Sequence, residues 1–377
     1  MVGLPCSPDN GWRQNRGLRL VAGGRTLDVP WPGVAGLPNH GLVRTRLGFD
    51  EELARHARSA GARLLEHHQV TQALRSDDGR VTGVRATILD GGGHRTGQEQ
   101  AFFADVVLAA DGNASRTAVS LGIQRRRDRP MGVAVRSYFV SPRHDEDWLE
   151  CRLGLPGRNG GLLPGYGWIF GMGDGTANVG LGVLDSARDF DTLDYKRLLL
   201  QWSAGLPREW GFTPENQVGE IRGGALPMGF NRTPPYAPGL MLLGDAGGMV
   251  SPCDGEGVSY AMESGRLAAE CVIAADAAGR SGSGRSTVDE VLAGYADRLR
   301  EQWGPHFALG RALAEFAGKS AVMKLALHTG MPIPALMRFM VRLLGNLGDP
   351  AGRDFADRAI GILEQLASGP ADRGPGG

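Results

Sequence analysis

The sequence predicts an α/β fold that carries an interleaved antiparallel-sheet domain and ends in a helical region. Three observations point there. Strand-like runs, alternating or briefly apolar, interleave with segments of helical rhythm. Two apolar strands, within 99–110 and at 239–244, run into Asp-Gly and Gly-Asp turns followed by helices, as in open α/β sheets. A further strand-rich stretch, 131–184, lies between those two strands.

Composition narrows the class. The chain has 377 residues, long enough for two or three domains with a sizeable core. Its 41 Lys+Arg balance 41 Asp+Glu, which gives a nucleic-acid partner no electrostatic support. Cys6, Cys151, Cys253 and Cys271 are far apart and form no C-x-x-C pair, so neither a metal site nor a disulfide framework is expected and a reducing cytoplasm fits. No signal peptide is visible, and no run of about 18 apolar residues suggests a spanning helix.

Taken in order, residues 1–16 are polar and turn-rich, and 18–29 form a hairpin about Gly23-Gly24. Residues 49–66 have helical spacing, with Asp50, Glu51 and Glu52 in the expected first turn. Strands follow at 68–74, 80–89 and 99–110, with a hairpin turn at Asp90-Gly-Gly-Gly93. Residues 131–140 and 162–184 are strand-like and 190–204 helical. After the strand 239–244 comes a Gly-rich loop and a helix from Gly257 to Ala278. The glycine-rich 279–284 is a surface loop, 287–346 holds several amphipathic helices, and the tail from Gly369 is expected to be disordered.

The richest segment is Gly239–Ala269. Its strand delivers Gly244-Asp245 at the carboxyl end, where open sheets bind ligands. Asp245 suits a ribose hydroxyl, and the small residues Ala246, Gly247 and Gly248 admit a close ligand. Gly255, Glu256 and Gly257 open a helix whose N–H groups and dipole suit negative charge. In Asp105–Gly122, a strand runs into Asp111-Gly112, and Asp111 is placed to bond the turn's amides. In Leu163–Gly182, Tyr166 and Trp168 alternate with glycines, so both rings share one face. Without further information these segments equally suit a ligand-free turn, a capped strand end and core aromatics.

The pattern G-D-A…P-x-x-G-E-G at 244–257 resembles the flavin-contacting motif of the para-hydroxybenzoate hydroxylase superfamily. The longer run through Glu270 is similar to geranylgeranyl reductases. The resemblance implies a Rossmann-like FAD-binding domain over 40–125 and 225–285, a substrate sheet over 12–39 and 126–224, and C-terminal helices over 286–365. It implies that Asp245 meets the ribityl or ribose region, that Gly255 and Gly257 line the isoalloxazine edge, and that Gly244 and Val258 also bind the cofactor. Asp111 matches the superfamily's A-D-G motif, although no Arg stands at 118. Arg46, in Arg46-x-x-Phe49-Asp50-x-x-Leu53, matches an arginine that reaches FAD, and Val70 matches a backbone contact to the adenine end.

The segment PGYGWIFGMGDGTANVGLG resembles the signature of geranylgeranyl and bacterial menaquinone reductases, with Gly171 replacing the usual proline. Glu209-Trp-Gly-Phe212 and the stretch 346–354 resemble the actinobacterial menaquinone reductases. By this resemblance Tyr166 and Trp168 wall the catalytic cavity, with Tyr166 and then Asp254 as candidate proton donors. The expected reaction is hydride delivery from reduced flavin to an isoprene double bond of a polyprenyl lipid, with an unidentified electron donor. Lys319, Lys324, Arg338 and Arg342 among apolar residues equally suit ordinary packing helices and helices that cover a tunnel or lie on a membrane; the lipid substrate that the resemblance implies adds peripheral membrane contact by a cytoplasmic protein as an expectation.

Members of the superfamily open with a strand, G-x-G-x-x-G and a helix, and no such unit is present here. Either the coding frame extends upstream of Met1 or the truncation is genuine, and in both cases the 377-residue chain alone is expected to hold FAD weakly. Two alternatives stay open, a flavin monooxygenase or halogenase on an aromatic substrate and an inactive lipid-binding remnant.

Overall fold

The computed structural model describes residues 3–34, 37–157, 161–282, 284–349, 352 and 354–369. Two compact units emerge, each from three stretches of chain. One comprises Met1–Leu64, Val133–Gly224 and Ala314–Ile360, the other Leu65–Gly132, Ala225–Leu313 and Gly361–Gly377.

The first unit is built on a seven-stranded sheet. Its order is Gln217–Pro227, Met131–Val140, Thr176–Leu184, Gly165–Gly171, Trp148–Leu153, Gly17–Ala22, Arg25–Pro30. The Gly23-Gly24 hairpin forms between the last two. Trp148–Leu153 pairs parallel with Gly17–Ala22, a departure from the expected antiparallel pattern. One side of the core packs Phe139, Ile169, Val179 and Leu181 against Leu199 of the helix Tyr195–Ala204. That helix starts at Tyr195 rather than 190, because Asp194 caps it by accepting from the Arg197 N–H at 3.0 Å. Elsewhere in this unit Leu20, Ala22 and Val29 pack with Met331, Met337 and Val341.

The helix expected over 49–66 runs instead over Arg46–Ser59, capped by Thr45, whose side chain accepts from the Gly48 N–H. Asp50, Glu51 and Glu52 therefore lie beyond its first turn. Gly61, at φ +99°, turns the chain out of helix where sequence spacing alone would carry it on.

The second unit holds two small sheets. His68–Arg75, Val81–Leu89 and Arg95–Phe103 form an antiparallel meander. The Asp90 turn closes as expected, the carboxylate accepting from the N–H groups of Gly92 and His94 at 2.9 Å each. The strand expected over 99–110 is split in two. Arg95–Phe103 ends the meander, and Val107–Ala109 joins a separate sheet beside Leu240–Leu242 and Tyr236–Ala237. Against that sheet packs the helix Val258–Arg280, whose Tyr260, Ser264, Leu267, Ala268, Cys271 and Ala275 are buried at helical spacing. Leu292, Tyr295, Leu299, Trp303 and Phe307 of Arg285–Ala317 complete the core. Burying each of these large side chains stabilises by about 1.5–3 kcal/mol. The Tyr295 hydroxyl donates to the Leu242 carbonyl at 2.9 Å and ties this core to the sheet.

Helix persists to Arg280 and resumes at Arg285, so the glycine-rich loop is shorter than expected, and Ser283 lies outside the described residues. The helices Ser320–Gly330, Pro334–Leu344 and Phe355–Ala367 follow. The tail assigned to disorder falls, from 370 on, outside the described residues.

Candidate functional site

Parallel pairing explains why two motifs 134 positions apart, at Asp111 and Asp245, belong together. Leu240, Met241 and Leu242 pair with Val107, Leu108 and Ala109 in register, so both strands end side by side. Asp111 follows one strand end and Asp245 the other.

The Asp111 carboxylate is engaged within its own turn. It accepts from the Ser115 hydroxyl at 2.8 Å and from the Thr117 N–H at 2.9 Å. This is the turn-fixing role open to it from sequence. A second anchor escaped the sequence reading. Arg232 is 1% exposed and donates to the carbonyls of Ile123 at 3.0 Å and Asn113 at 3.3 Å. Burial lowers its pKa, Arg125 adds like-charge repulsion, and Asp111 opposes both. Nothing local marks Arg232 for burial; its partners lie over a hundred residues upstream.

The second turn is formed by backbone. From Met241 to Val250 every residue is buried except Asp245, whose side chain alone emerges. A Cβ placed on Gly257 would stand 3.3 Å from Asp245 Oδ1, so the carboxylate lies at the start of the Val258–Arg280 helix. Gly248 has φ +69°, and a Cβ there would stand 2.7 Å from the backbone nitrogens of Asn231 and Arg232. Gly255 faces Leu226 and Met228, and Val258 is 38% exposed. The helix start is less free than its glycines suggest, because Glu256 accepts from the Ser259 N–H at 2.9 Å.

Val70 pairs with Ala86, and a register shift follows it before Gln72. Val70, Asp111, Gly244, Asp245, Gly255, Gly257 and Val258 all belong to the second unit, whereas Arg46, Tyr166 and Trp168 belong to the first. Arg46 opens its helix rather than preceding it. Its guanidinium pairs with Asp50 at 2.9 Å, and its N–H donates to the Tyr138 hydroxyl at 3.3 Å.

The aromatic strand carries its rings as alternation requires. Tyr166 and Trp168 have centroids 6.1 Å apart, and Trp168 stacks with Phe170 at 6.3 Å. All three are half-buried, while Gly167 and Ile169 between them are buried. Ile169 joins the core, so the rings occupy the opposite face. A Cβ on Gly180 of the neighbouring strand would lie 2.2 Å from the Trp168 ring, so this glycine is the floor on which the indole rests. The indole N–H donates to Asn178 Oδ1 at 3.1 Å.

These features of the second unit fit a flavin nucleotide. A half-buried carboxylate emerges at a sheet edge, bare backbone flanks it, and Gly257 contributes no side-chain cap to the adjoining helix. The fold and turns are those of a flavin-dependent oxidoreductase. Residues 19–271 match the family described as FAD dependent oxidoreductase, and the chain belongs to that family. It is 32% identical over 345 residues to the menaquinone reductase of Mycobacterium tuberculosis, covering 92% of this chain and 78% of that protein. It is 33% identical over 279 residues to the digeranylgeranylglycerophospholipid reductase of Methanothrix thermoacetophila, covering 73% and 64%. A solved geranylgeranyl bacteriochlorophyll reductase-like protein from Thermoplasma acidophilum shares the fold, with TM-score 0.67 and 20% identity over 93% of this chain and 83% of that one.

Proposed function

We propose that the protein reduces carbon–carbon double bonds in the isoprenoid chain of a lipid such as a menaquinone or a geranylgeranyl lipid. The observation that carries this reading is the face bearing Tyr166, Trp168 and Phe170. It is apolar, half-buried and turned away from the core, as a wall for a hydrocarbon chain must be. The identity to a menaquinone reductase and to a reductase of a digeranylgeranyl lipid supports it.

Reduced FAD, when bound, supplies the hydride. Asp245, Gly244, Gly255, Gly257 and Val258 would hold the cofactor at the sheet edge, where Asp111 keeps the neighbouring turn in shape. Val70 would contribute backbone to the adenine end, and Arg46 a cation. Tyr166 and Trp168 orient the isoprene unit and exclude water, which a weakly electrophilic alkene requires.

A membrane contact is part of the proposal. No described helix is long and apolar enough to cross a bilayer. In the first unit, however, Phe316, Val322, Leu325 and Leu336 are exposed on helices that also carry Lys324 and Arg338, and Ile333 and Lys319 stand just before two of these helices. Such a surface suits an anionic interface. Arg342 is not part of it, since it pairs with Asp354 and, at 2.7 Å, with the buried Asp357.

The test is anaerobic. FAD-loaded protein, chemically reduced and mixed with menaquinone or a geranylgeranyl lipid, yields product heavier by two hydrogens per double bond. Product that forms only with oxygen overturns the reading.

A further inference from the structure

Saturating a double bond takes a hydride and a proton, and the proton must reach a site from which water is excluded. We propose that Glu364, His306 and Asp254 form an internal proton route to the turn Ser251–Gly257, with Asp254 as terminal donor and His306 as the residue that recharges it. This rests on the isoprenoid-reductase reading.

All three residues lie in the second unit. His306 is 3% exposed, and its Nδ1 stands 3.1 Å from Glu364 Oε1. Its Nε2 is buried and has no hydrogen-bond partner among the described residues, an open position for a proton on an imidazole that both donates and accepts. The Glu364 side chain is 20% exposed and is the end that reaches water. The helix carrying His306 presses on the turn: a Cβ on Gly310 would stand 2.6 Å from Cys253 Sγ and 3.0 Å from Cys253 N. The Cys253 thiol donates to the His306 carbonyl at 3.9 Å.

Burial pushes the Asp254 carboxyl up to about 6; the Glu256 N–H and the Ser251 hydroxyl pull it back, Glu256 repels it, and His306 draws it down. The other groups here are Cys253, whose thiol burial keeps protonated, and Arg311, which packs at Gly229 beside Pro252. A carboxyl poised in this range both holds and releases a proton near neutrality, as a general acid must.

The step balances. One C–H bond forms with the hydride's electron pair, and the flavin is left oxidised. The π pair of the alkene takes the Asp254 proton to form the second C–H bond, leaving a carboxylate. His306 returns a proton to Asp254 and takes one from solvent by way of Glu364.

The 377-residue chain, FAD-loaded and reduced, is mixed anaerobically with a geranylgeranyl lipid in single turnover. Product formation is expected to fall as pH rises through about 6, where Asp254 loses its proton. D254N should lower the rate about 100-fold and abolish the inflection, and D254E should restore both in part. H306Q should slow the reaction, with recovery on adding imidazole. The second arm needs no flavin or substrate: in chain labelled with 13C-histidine, the His306 ring resonances shift in D254N and in E364Q. Unchanged resonances in both folded variants overturn the route, as does a wild-type rate and pH profile in D254N. If the wild type reduces no isoprenoid, the functional reading fails, and the NMR arm still decides the route.

Discussion

Gly248, in the turn at 244–257, and Gly167 and Gly180, in the hairpin at 165–184, use the missing side chain in opposite ways. In the turn, Gly248 holds a left-handed backbone with other backbone 2.7 Å from the missing Cβ. In the hairpin, Gly167 and Gly180 keep ordinary strand conformations and leave holes that Trp202 and Trp168 fill. One region spends glycine on the path of the chain, the other on the volume of a neighbouring ring. The difference decides which substitutions can be compensated.

The largest effect is expected at Gly248. G248A adds left-handed strain to a backbone clash and should cost about 3 kcal/mol or more in urea unfolding. No truncation of a neighbouring side chain should recover it, since the obstructing atoms are backbone. A stable G248A would break the comparison. Next comes Gly167, whose added Cβ would meet Trp202 at 2.2 Å. G167A should cost about 2 kcal/mol, and most of that should vanish when measured against W202A. An undiminished penalty in that background would show that the hole is not the ring's. The smallest effect is W168F, which removes the indole N–H bond to Asn178 but keeps an aromatic wall. It should cost about 1 kcal/mol, and isoprenoid turnover should survive while W168A loses it.

What could be foreseen from sequence was local. Glycine and aspartate clusters marked the turns after both strands, and alternation put Tyr166 and Trp168 on one face. Misplaced features were those decided at a distance or by one capping atom. Thr45 moved the start of a helix, and Gly61 ended it early. The run 99–110 divided because its last residues pair with Leu240–Leu242, a contact invisible in local hydropathy. Arg232 and His306 escaped notice for the same reason: each sits in an unremarkable local context and acquires its role from partners more than 50 positions away.

Gly310, by leaving room for Cys253, also has a chemical effect. Flavoenzymes that leak electrons to oxygen generate peroxide beside their own cofactor, and a thiolate in that neighbourhood would be oxidised. Cys253 lies two positions before Gly255, yet it is pressed against a helix and kept as a neutral thiol by burial. The tight seam between turn and helix thus shields the sulfhydryl of this glycine-rich turn from oxidants.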